Sequence, residues 1–138
     1  MKQESEYKEM GKTMKHMVYI SDEEREKCRK VKEAFAELED EDIDIMVADA
    51  GRYGYVRLMY YNEIYGFDEA YCYTESLALF NDLWTDWLNA QLFKIALEDE
   101  PLMDLDYEDI FKALPIERQQ ALMRRRQEFA EQSGISVS

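Results

Sequence analysis

A helical pattern that is apolar on two sides runs from Glu75 to Glu98 and limits the folds open to this chain. Leu77, Phe80, Trp84, Trp87, Leu88 and Ile95 form one stripe at helical spacing, and Leu79, Leu83, Ala90, Phe93 and Leu97 form a second. Only a strip around Asn81, Asp82, Thr85, Asp86 and Asn89 is polar. A helix with so little polar circumference must be covered from two directions. The expected partners are a sheet on one side and the C-terminal helices on the other. Removing either tryptophan by Trp84→Ala or Trp87→Ala is expected to cost several kcal/mol and unfold the domain.

The sheet is read from the residues before this helix. Seven of the ten tyrosines lie between Tyr53 and Tyr73. From Ile43 the apolar period changes to two, with Ile43, Ile45 and Val47 opposite Asp44, Met46 and Ala48. Gly51-Arg52-Tyr53-Gly54 supplies permissive residues for a hairpin connection. In the return run, Val56, Leu58 and Tyr60 share one face, while Tyr55, Arg57, Met59 and Tyr61 share the other. Asn62-Glu63-Ile64-Tyr65-Gly66 reads as a second turn, and Glu69 to Thr74 alternates again, with Tyr71 and Tyr73 opposite Ala70 and Cys72. A three-stranded antiparallel meander follows.

Ser21-Asp22-Glu23-Glu24 has the form of a capping box and predicts a helix over residues 22–39, with a narrow stripe of Cys28, Val31, Phe35 and Leu38. Beyond Glu98-Asp99-Glu100-Pro101, Asp106 is placed to cap a short helix over residues 107–114. Pro115 either kinks that helix or opens the next, and Gly134 stands near the last helix's C-cap. Met17-Val18-Tyr19-Ile20 is a short strand or an anchor to the core. Residues 1–16, ending in the single histidine His16, read as a flexible tail, 17–134 as one domain and 135–138 as a C-terminal tail. The fold class is α+β: a small three-stranded antiparallel sheet packed against a long buried helix, with an N-terminal amphipathic helix and C-terminal helices.

Charge bears on function more than on fold. The formal net charge is −14, and residues 41–114 hold 17 acids against 4 bases, a net of −13. Such a field repels phosphate backbones and anionic membrane surfaces, and it favours basic partners. Direct nucleic-acid binding and membrane binding are therefore not expected. Cys28 and Cys72 lack the spacing of a disulfide framework or a metal knuckle. The first residues, Met1 to Glu6, lack the apolar core of a signal peptide. A cytoplasmic location is the expectation.

Several chemistries lack their residues. No phosphate-binding glycine loop or dinucleotide fingerprint is present, and one histidine cannot furnish a histidine-based triad or a multi-histidine metal site. Asp40 to Gly51 alternates acids like a calcium loop but has Ile45 where glycine is needed and Gly51 where a bidentate glutamate is needed. No cofactor, metal site or catalytic residue is assigned. Two groups remain as candidate partner-binding residues. Tyr55, Arg57, Met59, Tyr61, Tyr71 and Tyr73 form an aromatic patch with one cation if they face solvent; otherwise a helix covers them. Asp99, Glu100, Asp104, Asp106, Glu108 and Asp109 form the densest acidic cluster. Arg124, Arg125 and Arg126 are expected to pair with acids of residues 98–109.

The functional expectation is a non-enzymatic interaction module binding a protein partner of basic or mixed charge. One specialised form is an inhibitor that mimics nucleic acid. The alternative is a small enzyme or ligand-binding domain using carboxylates and tyrosines in a pocket between sheet and helices. A homo-oligomer scaffold would show itself as an uncovered apolar face.

Overall fold

Ser21 begins the first helix as a cap: its hydroxyl accepts from the Glu24 N–H at 3.1 Å. Three acids in the first turn suit the positive end of the helix dipole. The computed structural model describes residues 19–41, 45–62 and 66–137. In order, the elements are α1 (Asp22–Ala34), α2 (Ala36–Glu41), β1 (Ile45–Asp49), β2 (Tyr55–Asn62), β3 (Gly66–Tyr73), α3 (Ser76–Leu97), α4 (Tyr107–Ala113) and α5 (Ile116–Ser133), with single 3₁₀ turns at Gly51–Tyr53 and Glu100–Leu102.

The chain is α+β, with the strands in the order β1-β2-β3, all antiparallel. Tyr55 stands opposite Asp49 and Tyr73, Arg57 opposite Val47 and Tyr71, and Leu58 opposite Met46 and Ala70. The register shifts near Tyr60. β3 begins at Gly66, three residues before the strand expected at Glu69. The expected turn residues 63–65, the tail 1–16 with His16, and Met17 and Val18 lie outside the described residues. Tyr19 and Ile20 are described: the Ile20 N–H donates to the Arg52 carbonyl at 2.9 Å, and Ile20 packs against the core.

The helix expected over residues 22–39 is interrupted at Phe35, where φ is −97° and ψ 20°. Its stripe of Cys28, Val31, Phe35 and Leu38 is buried nonetheless. Phe35 stacks on Phe129 with centroids 4.3 Å apart and meets Phe80 edge-on at 5.4 Å. Trp84 and Trp87 stack on each other at 5.4 Å, and Trp87 meets Phe129 edge-on. These rings join α1, α3 and α5 in one core, which Ile45, Val47, Tyr55 and Tyr73 close from the sheet. A second cluster, Leu92, Ala96, Ile110 and Leu114, joins the end of α3 to α4.

Polar side chains fix the packing between elements. Glu24 of α1 reaches the start of α3 and accepts from the Ser76 N–H at 2.9 Å, capping a helix whose N-cap, Glu75, supplies no side-chain bond. Burial tends to raise the Glu24 carboxyl, but hydrogen bonds from Ser76 outweigh it and hold the group below its ordinary range. Glu39 of α2 accepts from the Val47 N–H at 2.7 Å. Pro115 is the N-cap of α5, and Gly134 closes it in the left-handed conformation. Ile135 and Val137, placed by sequence in a tail, pack against the core. Among the described residues no helix is long and apolar enough to cross a membrane.

Two expectations about helix faces need correction. Phe93 and Leu97, read as part of a buried stripe, are 50% and 55% exposed. The last turns of α3 are covered instead along Leu92 and Ala96, the side that α4 meets. The arginines do not pair with the acids of residues 98–109. Arg125 instead bonds Glu37 at 2.5 Å and Glu128 at 2.6 Å while lying over Phe129 and Trp87, and Arg126 lies over Phe80. Consecutive helical residues diverge by about 100°, so the two side chains leave α5 in different directions.

Candidate functional site

The tyrosine face of the sheet is the covered one. Tyr55 and Tyr73 are buried, and Met59 is half-buried against the core. Arg57 makes a two-pronged bond to Asp86 of α3, with Nε at 2.6 Å and an η nitrogen at 2.7 Å. The Tyr73 hydroxyl donates to Asp82, one turn earlier on α3. Tyr55, Arg57, Met59 and Tyr73 are therefore engaged in holding the sheet to the helices, the covered one of the two alternatives their alternation left open. Two carboxylates of the polar strip on α3, Asp82 and Asp86, are what the sheet binds. Tyr71, on the outermost strand, is 51% exposed. Tyr61 lies on β2, and its side chain is outside the described residues.

The described side chains on the opposite face of the sheet are apolar. Met46, Leu58 and Ala70 form one cross-strand row, and Ala48, Val56 and Cys72 form the next. Met46, Ala70 and Cys72 are exposed and the others half-buried.

Asp99, Glu100, Asp104, Asp106, Glu108 and Asp109 are all exposed around the turn joining α3 to α4. Asp106 accepts from the Asp109 N–H at 2.9 Å and so caps α4, while Glu108 pairs with Lys112 at 2.9 Å. Asp99, Glu100 and Asp104 face no Lys or Arg at ion-pair distance among the described residues. The turn encloses a groove of about 360 Å³ lined by Phe93, Ala96, Met103, Leu105, Asp106, Tyr107 and Ile110. Met103 is 52% exposed, Leu105 40% and Tyr107 41%. Large apolar side chains thus stand in the open beside unpaired carboxylates.

Sequence reading singled out the acids and did not single out the groove. The missed residues are Phe93, Met103, Leu105 and Tyr107. Leu102, Met103 and Leu105 were a signal, being bulky apolar residues inside a loop whose other residues are acids and Pro101. Leu102 turns inward to the second core cluster, whereas Met103 and Leu105 line the groove.

Chemically, the site offers apolar contact and negative charge. Of its lining side chains only Asp106 and Tyr107 carry polar atoms, and Asp106 is occupied as a cap. Among the described residues no group of three or more His, Cys, Asp or Glu side chains is placed to hold a metal ion. No protein-family model, curated protein or solved structure matches the chain.

Proposed function

We propose that the protein is a non-enzymatic interaction module whose groove at the α3–α4 turn receives a basic segment of a partner protein. One observation carries this reading: exposed Phe93, Met103, Leu105 and Tyr107 sit beside the unpaired carboxylates of Asp99, Glu100 and Asp104. Exposed aromatic and methionine side chains supply contact area, and the acids select Lys or Arg on the partner and repel phosphate backbones. Within this reading the partner is a protein, with no direct nucleic-acid or membrane binding. Cys28 is buried under the sheet and Cys72 stands on its outer face, which supports reduced thiols and a cytoplasmic setting.

The rival enzymatic reading placed carboxylates and tyrosines in a pocket between sheet and helices. At that boundary Tyr73 is bonded to Asp82 and Arg57 to Asp86, an arrangement that favours a structural role for all four. A homo-oligomer is a second reading, favoured by the apolar rows Met46-Leu58-Ala70 and Ala48-Val56-Cys72. Light scattering on Leu58→Lys tests it: a dimer that this substitution dissolves supports the reading, and a monomeric wild type removes it.

The leading reading is tested by affinity capture from native lysate at two salt concentrations. The bait is either the wild-type chain or the triple variant Asp99→Asn, Glu100→Gln, Asp104→Asn. A specific partner retained at low salt by the wild type and lost by the variant is expected. Equal retention by both baits, or no specific partner at low salt, would end the proposal.

A further inference from the structure

We infer that the α3–α4 groove is built for an amphipathic helix carrying Lys or Arg beside its apolar face, an inference that rests on the function proposed above. The groove is walled by side chains from two helices and the turn between them. A peptide that binds by adding a β-strand needs a strand edge to satisfy its backbone. None of the side chains lining the groove comes from a strand, so among the described residues the groove itself presents no strand edge for a partner to extend. A segment burying its backbone there must satisfy its own N–H and C=O groups, and a helix does so internally.

The groove also sets the pattern of side chains the helix must bring. Phe93 and Ala96 stand three residues apart on α3, and Tyr107 and Ile110 three apart on α4. Buried Ala96 and Ile110 form the floor of this channel and exposed Phe93 and Tyr107 its rims, an apolar strip that accepts apolar residues repeating at three and four positions. Met103 and Leu105 close one side of the channel and are adaptable, methionine especially. Asp99, Glu100 and Asp104 lie on the turn and Asp106 lines the channel at the start of α4, so acids flank the channel on its turn side. The occupant's cations then fall at the edges of its apolar stripe, as in a basic amphipathic helix.

The test uses the full chain and synthetic peptides of about 15 residues, long enough to form a helix on binding. Four are compared by fluorescence anisotropy: a leucine-lysine amphipathic peptide, the same composition scrambled, the amphipathic sequence with two central prolines, and a leucine-glutamate counterpart. The leucine-lysine peptide is expected to bind at least about tenfold more tightly than the other three and to gain helicity on binding. Phe93→Glu and Met103→Glu are expected to weaken it by at least about tenfold while circular dichroism shows an unchanged fold, since both positions are half exposed. Each variant adds a negative charge, so capture by bulk charge alone would strengthen and overturn the groove assignment. Equal binding of the proline peptide would overturn the helix inference and leave the proposed function standing. Failure of every lysine peptide to bind, or equal binding of the glutamate peptide, would overturn both.

Discussion

Gly54 is held at φ +105°, and a Cβ there would lie 2.0 Å from the Tyr73 carbonyl oxygen. The hairpin end of β2 thus approaches β3 so closely that only glycine fits. Gly54→Ala is expected to cost at least about 2 kcal/mol in urea unfolding, because strain and backbone overlap act together. Tyr73 makes a second prediction at this scale. Burial pushes its phenol well above the ordinary 10, and the bond to Asp82 together with that carboxylate's charge pushes it further, against a smaller pull from Arg57. The folded chain therefore holds the proton more tightly than the unfolded chain does. This contribution to stability is complete below pH 10 and is lost as pH rises above it. Tyr73→Phe should flatten that part of the alkaline decline, as read from urea midpoints between about pH 9 and 11.

Among the elements, the contact between sheet and α3 depends on a charge pair of low exposure, with 12% of the Arg57 side chain and 11% of the Asp86 side chain accessible. Asp86→Ala should cost about 3 kcal/mol because it strands the guanidinium, and Arg57→Met should destabilise in turn by taking the cation away from the Asp86 carboxylate. The double variant Arg57→Met with Asp86→Leu should be more stable than either single one, with a clear coupling energy in the cycle. This pair also shows what the sequence could not reveal. The period-two pattern identified the strands and the meander, and the two-sided apolar pattern identified α3. Which sheet face turns inward was illegible, because β2 is apolar on both faces and the inner one carries a cation. Arg57 is tolerated there only because Asp86, 29 residues later, meets it.

Over the whole molecule, the apolar residues exceed what the described elements cover. The core takes one side of the sheet and the Leu92 side of α3, leaving Met46, Ala70 and Cys72 on the outer sheet face and the groove at the α3–α4 turn exposed. The acids at that turn were legible because charge is visible residue by residue. The groove was not, since helical spacing places Phe93 on an apolar stripe without saying where the covering elements stop. Charge and apolar surface together make the central claim: binding at this groove must depend on both. The most direct test is the dissociation constant of the leucine-lysine amphipathic peptide across a salt series, for the wild-type chain and for Leu105→Glu. The account predicts affinity that falls as salt screens the acids, and a variant at least about tenfold weaker at every salt concentration. A flat salt dependence, or a Leu105→Glu chain that binds as tightly as the wild type, would contradict it.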